Sequence, residues 1–245
     1  MPEPLAWQIA TVTAIRAETP EVSSFTLRLP NWRVHRAGQH YDVRLTASDG
    51  YQAQRSYSIA SPPSRTGEVD LTIEKIADGE VPPYFHDILT VGDQVEVRGP
   101  IGGYFVWEPA IGGPLVLVAG GSGIVPLMAM LRERASAEPK PAAVLLYSSR
   151  TYDDVIYRDE LASLDSGDAG LRVIQTLTRS HPAGWAGYDR RIDRPMLTEA
   201  IDAAGPDPLV YICGPTLLVE AAANGLVEHG VPPAQVRTER FGPTS

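Results

Sequence analysis

Arg55-Ser56-Tyr57-Ser58 groups three kinds of side chain that together can hold a phosphorylated planar molecule. The guanidinium of Arg55 offers charge to a phosphate, the ring of Tyr57 offers a flat apolar face, and Ser56 and Ser58 offer hydroxyl hydrogen bonds. These are the requirements of a flavin dinucleotide. The same four residues also suit an alternating strand with Arg55 in a surface ion pair and Tyr57 in a core.

Two further stretches could meet a nucleotide. Gly120-Gly121-Ser122-Gly123-Ile124-Val125-Pro126 follows an apolar run and precedes a helical one. Small residues at such a turn let a pyrophosphate approach the backbone, and the helix amides add partial positive charge. The turn is not a GxGxxG sequence, and glycines at a strand-to-helix turn also serve packing alone. Cys213-Gly214-Pro215 ends another apolar run, which places it at the carboxyl end of a strand, where open α/β sheets bind ligands. A lone cysteine is equally at home as a small buried hydrophobe.

The elements that must position these residues fall into two regimes. From Trp7 to about Trp107 six short alternating runs (7–12, 24–29, 41–45, 54–59, 69–73 and 94–97) are separated by turns such as Ser48-Asp49-Gly50 and Val91-Gly92-Asp93. This pattern predicts an all-β antiparallel barrel with one brief helix running from Pro82-Pro83 to Leu89. The first turn of that helix is a phosphate-binding candidate, or a plug for one end of the barrel. A Pro/Gly linker at 109–114 follows, and the period changes.

Apolar strands at 115–119, 144–147, 171–178, 209–213 and 235–241 then alternate with helices at 125–135, 153–164, 195–203 and 216–229. Such alternation predicts an α/β parallel-sheet domain. The expected division is residues 1–108 and 109–245.

Composition narrows the chemistry. One cysteine among 245 residues excludes an internal disulfide framework and any four-cysteine cluster or zinc site built by this chain alone, so electron chemistry would need an organic cofactor. The net charge of −9 argues against nucleic acid. The charge is uneven, however: residues 1–65 carry seven Arg against five acids, a net of +2, and the remainder carries −11. An acidic protein partner would meet the first part more readily than the second. MPEPLAW lacks the features of a signal peptide, and the uncharged run 114–131 is broken by glycines and Pro126, so no membrane span and a cytoplasmic location are expected.

In this order the motifs resemble the ferredoxin-NADP reductase family. The resemblance runs from Ala37-Gly38-Gln39 through Arg55-Ser56-Tyr57-Ser58, Gly99-Pro100-Ile101-Gly102, the glycine turn and Cys213-Gly214-Pro215 to Glu239-Arg240-Phe241. It implies a Greek-key barrel that binds FAD, followed by an NAD(P)-binding domain. By the same resemblance Arg55 would hold the FAD pyrophosphate, Tyr57 would pack on the isoalloxazine, and Ser58 would hydrogen-bond near flavin N5. Ser56 completes the motif, and the backbone of Thr72 and Ile73 would border the ring.

Gly79-Glu80-Val81-Pro82 looks like the family's second phosphate turn, but Pro82 stands where many members carry a hydroxyl, which leaves Gly79 and the Val81 N–H. Gly121, Ser122 and Gly123 would cradle the NAD(P) pyrophosphate, Gly214 would join the cofactor-binding residues, Cys213 would align the nicotinamide, Glu239 would support charge or proton movement, and Phe241 would cover the flavin. Ser149, Arg150 and Arg179 match the positions where NADPH-selective members hold the extra phosphate, so NADPH is expected over NADH. Asp153 and Asp154 lie close enough in sequence to pair with Arg150 instead.

The implied activity is transfer of electrons from NADPH through FAD to a separate acceptor such as ferredoxin or flavodoxin, with Arg33 and Arg36 in its docking. Two alternatives remain at this level: a reductase component feeding an oxygenase directly, and an FAD-binding electron-transfer subunit without its own NAD(P)H activity.

Overall fold

The computed structural model describes residues 5–76 and 79–242 of the chain; the tail after Gly242 lies outside them. The chain divides into two units, residues 1–107 with 128–133, and residues 108–127 with 134–245.

In the first unit β1 (Gln8–Thr19), β2 (Val22–Arg28), β3 (His40–Thr46), β4 (Gln52–Ser58), β5 (Glu68–Glu74) and β6 (Gln94–Ile101) form one antiparallel sheet in the order β4-β3-β6-β1-β2-β5. The chain jumps across the sheet from β2 to β3 and from β5 to β6, as Greek-key connections do. The two outer strands meet at one corner, where Ile59 bridges Leu71 and the Ala60 N–H donates to the Asp70 carbonyl at 2.8 Å. Apart from that corner, β4 pairs only with β3, and one edge of it is left open.

Alternation fills the interior: Ala10, Val12, Phe25, Leu27, Tyr41, Val43, Val69, Leu71, Val95 and Val97 are buried together. α1 (Val81–Asp87) closes the packing with Val81, Pro82 and Phe85. The Phe85 ring meets Phe25 edge-on at 5.0 Å, a geometry contributing about 0.5–1.5 kcal/mol beyond its buried area. The first strand is longer than the alternation predicts. Residues 13–19 are mostly exposed and carry no apolar period, so their strand conformation is set by pairing with β2, across two register shifts.

In the second unit β7 (Leu115–Gly120), β8 (Ala143–Ser149), β9 (Leu171–Leu177), β10 (Leu209–Pro215) and β11 (Val236–Phe241) make a parallel sheet in the order β11-β10-β7-β8-β9. Every residue of β7 and β8 is buried, as expected of strands covered on both faces. α2 (Ile124–Arg134), α4 (Arg194–Ala204) and α5 (Thr216–His229) agree with the expected helices to within about a residue. α4 is capped by Asp193, whose Oδ1 accepts from the Met196 N–H at 3.1 Å.

α3 (Arg158–Gly167) departs from expectation, beginning five residues after the predicted Asp153. Asp154 is drawn back into a turn in which its carboxylate accepts from the Thr151 N–H and hydroxyl at 3.0 and 2.8 Å, and Tyr157 takes a left-handed φ of 58°. A short polar side chain bonding local backbone competes with helix here. Among the described residues, no helix is long and apolar enough to cross a membrane.

Candidate functional site

On β4 the row of alternate residues that points away from Ser56 and Ser58 runs Ala53, Arg55, Tyr57. Arg55 is exposed, its guanidinium donates to the Gln54 carbonyl at 2.7 Å, and it makes no ion pair among the described residues. Tyr57 is half-buried against the core and leans on Phe85, with ring centroids 6.2 Å apart. Its hydroxyl is buried with no hydrogen-bond partner among the described residues, and burial pushes its ionisation up. A buried phenol with no partner costs free energy unless something else meets it.

The other expected flavin contacts are mixed. Ser56 Oγ donates to Asp42 at 2.7 Å, so that hydroxyl is committed to the sheet. Ser58, half-buried, lies at the end of β4 where the open edge begins to close. The Thr72 hydroxyl shares a 2.7 Å hydrogen bond with Ser24, and the Ile73 carbonyl is 3.0 Å from His86 Nε2. Any role for Thr72 therefore falls to its backbone, and the Ile73 carbonyl is occupied.

Gly79 packs on Pro82, where an added Cβ would lie 3.0 Å from the proline ring. Val81, fully buried, opens α1, and Pro82 and Pro83 follow it, so Val81 and Tyr84 are the amide donors of that first turn. The structure adds a residue outside the expected set. Tyr51 is exposed just before β4, and its hydroxyl donates to Glu80 Oε1 at 2.9 Å.

In the second unit the sheet reverses its winding about β7, with β8 and β9 on one side and β10 and β11 on the other. The carboxyl ends of β7 and β10 are thus the switch point at which open sheets hold ligands. The glycine turn and Cys213-Gly214-Pro215 meet there. A Cβ on Gly123 would fall 2.1 Å from the Cys213 carbonyl oxygen, and one on Gly214 would fall 3.1 Å from the Gly120 nitrogen. Packing accounts for those two glycines. Gly121 differs: its φ is +54° and a Cβ there would meet nothing within 4 Å, which leaves backbone facing open space beside Ser122.

Cys213 and Glu239 are register partners on β10 and β11. Cys213 is buried, and burial together with the neighbouring Glu239 charge holds its thiol well above the ordinary range. It is therefore a neutral, soft apolar surface and no thiolate nucleophile. Burial pushes the Glu239 carboxyl up to about 7, and its buried Oε2 has no hydrogen-bond partner among the described residues. That pKa lets it hold or release a proton near neutral pH. Phe241 ends β11, half-buried.

At the ends of β8 and β9, Ser149 is 6% exposed and its Oγ is buried without a partner. Arg150 and Arg179 are exposed and joined through backbone, Arg179 N–H to the Arg150 carbonyl at 2.8 Å. Neither guanidinium has an acidic partner among the described residues. Asp154 bonds Thr151, and Asp153 lies 3.8 Å from Arg158, so neither takes Arg150. Thr216, outside the expected set, puts another buried unpartnered hydroxyl at the first residue of α5; its position directly after Cys213-Gly214-Pro215 was the available signal.

Comparison with known proteins agrees with both halves. Residues 9–106 match the oxidoreductase FAD-binding domain family and residues 117–224 the oxidoreductase NAD-binding domain family. Over 240 residues the chain is 33% identical to ferredoxin--NADP reductase B of Sorangium cellulosum, covering 95% of this chain and 96% of that protein.

The chain belongs to the ferredoxin-NADP reductase family. It is an oxidoreductase with FAD-binding and NAD-binding domains. Another relative, the propane 2-monooxygenase reductase component of Mycolicibacterium smegmatis, is 29% identical over 94% of this chain and 66% of its own length. The chain therefore spans about two thirds of that reductase. A ferredoxin NADP+ reductase from Neisseria gonorrhoeae shares the fold at a TM-score of 0.80, covering 96% of this chain and 98% of that one, with 22% identity.

The side chains fit the two groups the family implies. Arg55 and the Tyr57 hydroxyl, the first without an ion pair and the second without a hydrogen-bond partner among the described residues, suit FAD on the first unit, and the open Gly121 backbone suits a dinucleotide on the second.

Proposed function

We propose that this family member is a cytoplasmic NADPH-dependent reductase that passes electrons through FAD to a separate acidic protein of the ferredoxin or flavodoxin kind. When bound, FAD supplies the chemistry of accepting a hydride and releasing electrons onward. The chain's own work is to bind, orient and shield. Arg55 neutralises the FAD pyrophosphate, Tyr57 gives the ring an apolar wall, and Ser58 offers a hydrogen bond near its reacting edge. The backbone of Gly79, Val81, Thr72 and Ile73 borders the same cofactor. Gly121, Ser122, Gly123 and Gly214 receive the NADPH pyrophosphate, Cys213 gives the nicotinamide a soft neighbour, and Phe241 offers a planar face. Glu239 holds a proton close to the reacting ring.

The observation that carries the preference for NADPH is the pair Arg150 and Arg179, two cations that, like the neighbouring Ser149 hydroxyl, have no partner for their charge or hydrogen bond among the described residues. An extra phosphate would meet them. The division at residues 1–108 and 109–245 assigns FAD to the first part and NADPH to the second. An acidic acceptor is supported by the basic excess of residues 1–65 and by Arg36, which has no acidic partner among the described residues.

Similarity to an oxygenase reductase component supports a second reading, in which the acceptor is the oxygenase itself. Purified protein is expected to be yellow and to bleach on anaerobic addition of NADPH. In stopped flow the bleached protein reduces a ferredoxin at a rate that falls with ionic strength and in Arg36→Ala. Yellow protein that neither NADPH nor NADH bleaches overturns the reductase reading and leaves an FAD-binding subunit. Salt-independent transfer overturns the electrostatic docking.

A further inference from the structure

β4 is held mainly from one side. It pairs with β3, and apart from the corner where Ile59 bridges Leu71 its other edge is open. In the reading above, on which this inference rests, β4 carries Arg55 and Tyr57 to the flavin, so whatever fixes β4 against β3 also fixes them. A slip of one residue would turn both to the opposite face.

A row of side chains crosses the sheet on the face away from Arg55 and Tyr57. Asp42 is the register partner of Ser56 on β4 and of Arg98 on β6. It is 6% exposed, and its carboxylate accepts from the Ser56 hydroxyl and from the Arg98 guanidinium, each at 2.7 Å. Burial opposes the Asp42 charge, and hydrogen bonds from Ser56 and Arg98 outweigh it, holding the carboxyl below the usual range. The Arg98 guanidinium lies 4.8 Å from the centroid of the Trp7 ring, directly before β1. The tie therefore runs from the edge strand across β3 and β6 to the start of β1.

The neighbouring rung differs in one respect. Arg44 and Glu96 are also register partners on β3 and β6, joined by two hydrogen bonds of 2.9 Å, and Arg44 lies 4.2 Å from the same Trp7 centroid. That pair reaches β4 at its first residue, Gln52, through Thr46, over long hydrogen bonds of 3.3 and 3.4 Å. Asp42 meets β4 between the two ligand residues, by a short bond to a charged acceptor.

We propose that Asp42 is a positioning residue for the flavin strand: it grips Ser56 so that Arg55 and Tyr57, on either side in sequence, project at a fixed register and angle. Its side chain works from the far face of the sheet and acts on the ligand through β4 alone.

The test titrates the full chain, stripped of flavin, with FAD, following flavin fluorescence. Ser56 is exposed, so Ser56→Ala keeps the fold. It is expected to weaken FAD by roughly 5-fold to 50-fold, a part of what a hydrogen bond to a charged group contributes. Ser56→Thr retains the hydroxyl and should bind within about threefold of the unaltered protein. Asp42→Ala should weaken FAD as Ser56→Ala does, and the double variant no more than the weaker-binding single, because both cut one tie. Glu96→Gln breaks the neighbouring rung and should leave FAD within about twofold. Unchanged affinity in Ser56→Ala, no rescue in Ser56→Thr, additive losses in the double variant, or an equal loss in Glu96→Gln each overturn the assignment. Tyr57→Ala separates this failure from that of the underlying reading. If Tyr57→Ala weakens FAD while Ser56→Ala does not, the β4 site stands and the tie falls; if Tyr57→Ala has no effect, the β4 site itself falls.

Discussion

Arginines stand beside both ends of β8 and β9, Arg134 from the end of α2 at one and Arg150 and Arg179 just past the strands at the other, and the two ends behave differently. At the amino end Arg134 is 1% exposed and fully engaged, donating to the Pro141 carbonyl at 2.6 Å, the Gly170 carbonyl at 2.7 Å and Asp168 at 2.6 Å. At the carboxyl end Arg150 and Arg179 reach solvent with no acidic partner among the described residues. The guanidinium is the same group in both places. What differs is whether the fold itself engages it, and an exposed cation at the carboxyl edge of a parallel sheet is available to a ligand.

The comparison breaks most visibly at the buried end. Arg134→Met removes the buried guanidinium from Asp168 and from the Pro141 and Gly170 carbonyls, while Asp168 keeps Lys140 and the Gly170 N–H and the Gly170 carbonyl keeps the Ala143 N–H, so urea unfolding should show a loss of about 3 kcal/mol, the low end for a broken buried pair. Coenzyme preference should not change. Any shift in the ratio of kcat/KM for NADPH and NADH would join the two ends and weaken the contrast.

At the other end Arg150→Ala and Arg179→Ala should each lower kcat/KM for NADPH about 10-fold to 100-fold, since hydrogen bonds to charged groups contribute about 1.5–3 kcal/mol. NADH should be unaffected and stability should hold to about 0.5 kcal/mol, as for other exposed positions. Equal losses with both coenzymes would assign the arginines to a part that NADH and NADPH share.

Acid sharpens the distinction with a smaller effect. The Arg134 hydrogen bond holds the Asp168 carboxyl down to about 2, below its ordinary 3.8. A carboxyl depressed in the folded state contributes stability that is complete above the unfolded pKa and lost as pH falls through the folded one. Between about pH 4 and pH 2 the protein should lose about 2 kcal/mol from this group, and Asp168→Asn should flatten that part of the curve. An unchanged curve would mean the pair contributes nothing across that window.

Much of this was legible in the chain itself. The two periods separated an antiparallel first half from a parallel second half because period 2 with turns and continuous apolar runs with helices leave different patterns. Arg55, Tyr57, the glycine turn and Cys213 could be singled out because each sits where an element ends or alternates. The pairing state of side chains was not legible. Nothing in the order Arg150, Asp153, Asp154 says that Thr151 takes Asp154 and so moves the start of α3 to Arg158. Nor does the sequence say that the Ser56 hydroxyl goes to Asp42, fifty-odd residues from the Arg98 that shares that carboxylate. Such pairings are decided by tertiary contact. Tyr51 was overlooked for the same reason, since its tie to Glu80 spans 29 residues.

The 2.1 Å gap that a side chain on Gly123 would have to occupy constrains anyone redesigning this enzyme. At Gly123 the turn is closed backbone against backbone and admits no new atom, so in the proposed reading a change of coenzyme would be made at Arg150 and Arg179, whose exposed side chains can be exchanged without disturbing the sheet.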